Sequence, residues 1–67
     1  MKLLIGDGKG NILAEREVHA VPRLGDTIIL RDSDGHVIHE RPVSKVSWDI
    51  PQYKDDVTVL IFIDLDK

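Results

Sequence analysis

The stretch VPRLGDTIILR, residues 21–31, decides how the rest of the chain is read. Pro22 presets its own φ at about −65°, Gly25 admits a bend, and Asp26 has a short carboxylate suited to hydrogen-bonding nearby amides. These are the parts of a turn that delivers the chain into the apolar run TIIL, whose Ile28 and Leu30 point into a core. The same residues also invite a binding-site reading. Turn chemistry accounts for Pro22, Gly25 and Asp26 but not for Arg23, which is left to a salt bridge, a neighbouring subunit or a ligand.

Working outward, the apolar period is mostly two, with turn residues at intervals of about ten. Towards the N-terminus, residues 2–5 form a short apolar strand and Gly6-Asp7-Gly8-Lys9-Gly10 a tight hairpin. Residues 12–18 return, with Ile12, Ala14, Arg16 and Val18 on one face and Leu13, Glu15, Glu17 and His19 on the other. ILAERE contains good helix formers, but it is short, uncapped and set between a glycine-rich turn and a proline, so it reads as strand. Towards the C-terminus, Asp32-Ser33-Asp34-Gly35 is a β-turn and residues 36–40 the answering strand, interrupted at Arg41-Pro42. Val43, Val46 and Trp48 do not share one alternation, which places an extra residue near Ser44-Lys45. Residues 49–56 are a polar loop, and VTVLIFIDL at 57–65 is the strongest strand.

Five or six short strands in 67 residues point to one all-β domain over residues 1–67, a barrel or sandwich. So small a chain buries only about 60% of its unfolded surface, and such domains lean on disulfides, metals or oligomerisation. With no cysteine, oligomerisation is the expected help. Residues 1–5 are too short an apolar run for a secretory leader, and residues 57–63 fall far short of the ~20 needed to span a bilayer. The expectation is a soluble, cytoplasmic protein with no membrane partner. Net charge is −3; residues 1–45 balance seven basic against seven acidic side chains, and residues 46–67 supply the excess. An acidic domain with scattered bases argues against a nucleic-acid partner.

The order of elements resembles the small SH3-like barrels, and is similar to short uncharacterised proteins of bacterial and phage genomes. Pro22, Gly25, Asp26 and Ile28 carry the resemblance, with Val43, Val46 and Trp48 and the run from Val57 to Val59. It implies a five- to six-stranded SH3-like barrel and a non-enzymatic interaction module, such as an inhibitor or accessory factor of phage or mobile-element type. One Trp, one Tyr and one Phe are too few for the aromatic groove of peptide-binding SH3 domains.

Three surfaces stand out as binding candidates. In the last strand Leu60 and Phe62 lie opposite the Val57-Val59-Ile61-Ile63 face, where a water-facing strand should be polar, and they mark an oligomer interface. Trp48, Asp49, Gln52 and Tyr53 gather both amphipathic aromatics near one loop and suit another protein as partner. Arg23, Arg31 and Arg41, grouped at an oligomer seam, suit a small anionic ligand such as a signalling nucleotide, held in a sponge-like way. Catalytic, metal and cofactor sites are not expected. His36 and His39 point to opposite faces of a strand. Asp32–Gly35 lacks calcium-loop spacing, the glycine-rich hairpin lacks the phosphate-loop pattern, and the serines lie in no nucleophile elbow.

Overall fold

The computed structural model describes residues 1–66. Its strands are β1 (Lys2–Gly6), β2 (Ile12–Glu17), β3 (Thr27–Arg31), β4 (Val37–Asp49) and β5 (Thr58–Ile63), and no helix occurs among the described residues. They form one curled sheet in the order β2-β1-β5-β4-β3, so the most apolar strand lies at its centre. The fold is all-β, as the periodicity implies, with the shape of a half-barrel open between β2 and β3.

Period-two alternation in β5 puts Val59, Ile61 and Ile63 on the core face, all fully buried. Leu3 and Ile5 of β1 and Val43 of β4 complete that core, with Ile28, Leu30 and Val46 packed at its margin. β1 runs parallel to β5, pairing Leu3 with Val59 and Ile5 with Ile61. The other ladders are antiparallel.

The β1–β2 hairpin closes as its glycines suggest. The Asp7 carboxylate accepts from the amides of Lys9 (2.8 Å) and Asn11 (3.3 Å) and from Asn11 Nδ2 (2.8 Å). A register shift after Ile5 turns Ile12 outward and lets Leu13 pack against the core, the reverse of the expected facing. Asp7 titrates below the ordinary carboxylate range because the Asn11 side chain, then the Lys9 amide, bond its charged form. Lys2 is raised by its hydrogen bond to Glu15 at 2.8 Å, and Lys9 by its ion pair with Asp66.

VPRLGD performs the steering expected of it. Residues 23–26 form a hydrogen-bonded turn in which Asp26 N–H donates to Arg23 O (2.9 Å), while the Asp26 carboxylate accepts from Arg23 N–H (2.8 Å). Gly25 has φ +89°, the left-handed region that a Cβ disfavours. Gly25 N–H then donates to Val43 O (3.0 Å) and Val43 N–H to Asp26 O (2.8 Å), clamping the turn onto β4.

β4 departs from expectation. It continues through Arg41-Pro42 as one thirteen-residue strand, which gives five strands among the described residues, the lower of the two expected numbers. Pro42 is tolerated because its partner Thr27 is a non-hydrogen-bonded one; the bonds of that ladder flank it at Val43. Val37–Pro42 pairs with β3, and Val43–Asp49 with β5. The expected extra residue is Ser44, skipped between Val43 and Lys45, and its hydroxyl donates to Phe62 O (3.0 Å). This bulge bends β4 out of one ladder and into the other.

Two outcomes follow. Ile61→Ala should lower stability by about 2–5 kcal/mol, against a total of roughly 3–10 kcal/mol for a chain of this size, and urea unfolding should register a steep fall in midpoint. Because the Asp7 pKa is depressed on folding, its stabilisation is present above the unfolded value and lost as pH falls through the folded one. Asp7→Ala should therefore show a smaller loss of urea midpoint between neutral pH and about pH 2 than the parent chain.

Candidate functional site

β4 ends by presenting the two largest amphipathic side chains of the chain to solvent. Trp48 pairs with Val59, which puts its indole on the core face at the open end of the sheet, where it is 53% exposed. Ile50 is 65% and Tyr53 89% exposed in the loop that follows, beside exposed Asp49 and Gln52. A Trp that capped the core and a Tyr that pinned the loop would both be largely buried. Pro51 alone in this loop segment is half-buried. The loop then passes a cleft of about 340 Å³ lined by Lys2, Glu17, Asp55, Asp56 and Thr58, where Glu17 accepts the N-terminal ammonium at 3.1 Å.

Within one chain the three arginines sit on the 23–26 turn, the end of β3 and the middle of β4. Arg23 extends from its turn, its guanidinium 3.8 Å from Asp26, so the residue that turn chemistry left over has its own turn's carboxylate as partner. Arg31 lies near the tip of the β3–β4 hairpin and donates to Gly35 O (2.9 Å). Arg41 lies at the hairpin root opposite Ile28, three residues and about 10 Å of strand away from Arg31. It donates Nη1 to Glu40 O (2.9 Å), and among the described residues its Nε is buried with no hydrogen-bond partner. Arg41, Pro42, Ser44 and Asp64 line a second cleft of about 340 Å³.

Leu60 and Phe62 are half-buried within the chain itself. Leu60 lies between Leu4 and Ser47 in the neighbouring strands. Phe62 lies over Gly6, where a Cβ would come within 3.2 Å of the ring, and Lys45 Nζ stands 5.8 Å from its centroid. More of the exposed apolar surface sits on the β3–β4 hairpin and the β4–β5 loop. Sequence reasoning passed over the hairpin because Ile29 and Ile38 looked like ordinary alternating strand residues.

At the hairpin tip, ligand-capable atoms of Asp32, Asp34 and His36 lie within 4.8 Å of one another. Asp32 Oδ1 is committed to the amides of Asp34 and His36 at 2.9 Å, and Gly35 N–H closes the turn on Asp32 O (3.0 Å). The group is a turn built from its own side chain. His39 is paired within the ladder opposite Leu30, and Ser44 is committed to the Phe62 carbonyl.

No family model, curated protein or solved structure matches the chain. Tyr53→Ala should leave unfolding stability within about 0.5 kcal/mol. Trp48→Ala should cost clearly less than the roughly 3–5 kcal/mol of a buried aromatic, as read by chemical denaturation followed by far-UV circular dichroism.

Proposed function

We propose that the chain is a small, oligomeric, non-enzymatic binding module of SH3-like barrel type that recognises another protein through the Trp48–Tyr53 loop. One observation carries this: both large amphipathic aromatics and Ile50 are exposed together at the end of β4, where packing makes little use of them. Trp and Tyr are the residues that concentrate binding energy when a partner desolvates them, and an exposed apolar patch rimmed by polar groups marks such surfaces. Asp49 and Gln52 provide that rim. The non-enzymatic part rests on how the reactive groups are employed, since Asp26, Asp32 and Ser44 all bond backbone atoms of their own fold. The barrel part rests on the curl of the sheet and on the bend at Ser44, which lets one strand serve two ladders; the parallel β1–β5 pair sets it apart from an all-antiparallel barrel. The role as an inhibitor or accessory factor of phage or mobile-element type rests on the resemblance alone.

A second reading, a small anionic ligand, is favoured by Arg41, which lines a cleft and has an unpartnered Nε. One experiment separates the two. A photo-crosslinking residue placed at Gln52 should join the chain to a single protein in cells, and Trp48→Ala with Tyr53→Ala should abolish that product while leaving the fold intact. No product, or one unchanged in the double variant, removes the loop from the reading. A thermal shift with inorganic phosphate or nucleotides, lost in Arg41→Ala, would favour the anion instead.

A further inference from the structure

The sheet has two free edges, and they are not alike. β2 carries Glu15, Arg16 and Glu17 in succession, the kind of charged edge that discourages pairing with another chain. β3 presents Thr27-Ile28-Ile29-Leu30 before its single charge at Arg31. Its backbone parity follows from three bonds: Gly25 N–H to Val43 O, Val43 N–H to Asp26 O, and Asp32 N–H to His36 O. With Thr27 opposite Pro42, these place the N–H and C=O groups of Ile28 and Leu30 towards β4. Those of Thr27, Ile29 and Arg31 point away from the sheet, an unpaired row at an apolar edge.

We propose that the chain self-associates as a twofold dimer by antiparallel pairing of β3 with β3 of a second copy, centred on Ile29. This deepens the oligomeric part of the reading above, rests on it, and is independent of the aromatic loop. A twofold axis perpendicular to the sheet keeps each residue on its own face, so a given residue meets only residues of its own parity. Centred on Ile29, the register pairs Thr27 with Arg31, Ile28 with Leu30, and Ile29 with its own copy. Every outward group of the strand is then used, for about six backbone hydrogen bonds across the seam. Sliding two residues either way sets Asp26 opposite Leu30, or Asp32 opposite Ile28. The sequence of the edge therefore selects one register.

The side chains point the same way. Ile29 is 47% exposed, and Ile38, the residue the register shift between Leu30 and Arg31 leaves without a partner, is 55% exposed on the neighbouring strand. On the other face Ile28 and Leu30 are only half-buried. Pairing brings Ile29 against Ile29 and Ile28 against Leu30, the β-branched and aliphatic cross-strand pairs that stabilise sheets. It converts a two-stranded ribbon, which is marginal alone, into four strands spanning two chains.

Light scattering of the intact chain at micromolar concentration should give twice the 7.6 kDa monomer mass, and Ile29→Lys should give the monomer with its circular dichroism unchanged. Because the chain has no cysteine, Ile29→Cys should form a disulfide-linked dimer on mild oxidation, while Arg16→Cys on the β2 edge should not. A monomeric parent chain, a dimer that survives Ile29→Lys, or equal crosslinking at both edges would overturn the proposal. Should Ile29→Lys fail to fold, the cysteine pair decides. Loss of the dimer with the Trp48–Tyr53 crosslink retained leaves partner recognition standing, so the two failures are distinguishable.

Discussion

The structure depends on one constraint: a single sheet, with no helix among the described residues to cover it, must hide its apolar face by curling over itself. β5 makes this possible because it sits third of five strands and offers Val59, Ile61 and Ile63 to everything that folds over them. A strand with β1 on one side and β4 on the other can bury its core face completely, which an edge strand of so small a domain cannot. The remaining core side chains, Leu3, Ile5 and Val43, are the β-branched or aliphatic neighbours of those three in the adjacent ladders. The outer face is handled differently, with Leu60 beside Leu4 and Phe62 laid over Gly6.

Curling requires that some strand change direction, and β4 does so where Val43 and Ser44 meet. Val43 is bound on one side by the Gly25-Asp26 turn and on the other by Ile63, so it belongs to both ladders at once. Ser44 is left over by the register and uses its hydroxyl to satisfy the Phe62 carbonyl that the bulge exposes. The turn at 23–26 is thus less a gateway to β3 than a clasp that holds the bend from outside. Its own carboxylate, from Asp26, keeps it closed.

Much of this was legible in the residues themselves. Local chemistry spoke for local structure: alternation in VTVLIFI, turn residues at Gly25 and Gly35, and the broken alternation that put a bulge beside Lys45. What eluded sequence reasoning was set by partners distant in the chain. Pro42 reads as a break until its partner is known to be a position where no donor is needed. The parallel match of β1 with β5 leaves no trace in either strand, since both are plain apolar runs. Exposure was also hidden. An indole on the core side of a strand is buried or bare according to how far the sheet extends past it, and Trp48 stands where it ends. Within one chain, strand spacing sets Arg31 about 10 Å along the ladder from Arg41, and Arg23 answers to Asp26.

The placement of β5 has a consequence for how the protein comes into being. β1 and β4 each need it as a neighbour, yet it is made after both. During synthesis the early hairpins have no shared surface to settle on, and non-local pairing of this kind is slow to nucleate. A chain halted before residue 58 lacks Val59, Ile61 and Ile63 and the strand that joins its two hairpins. Completion of the sheet therefore waits on residues 58–63, and a chain lacking them is left open to proteolysis.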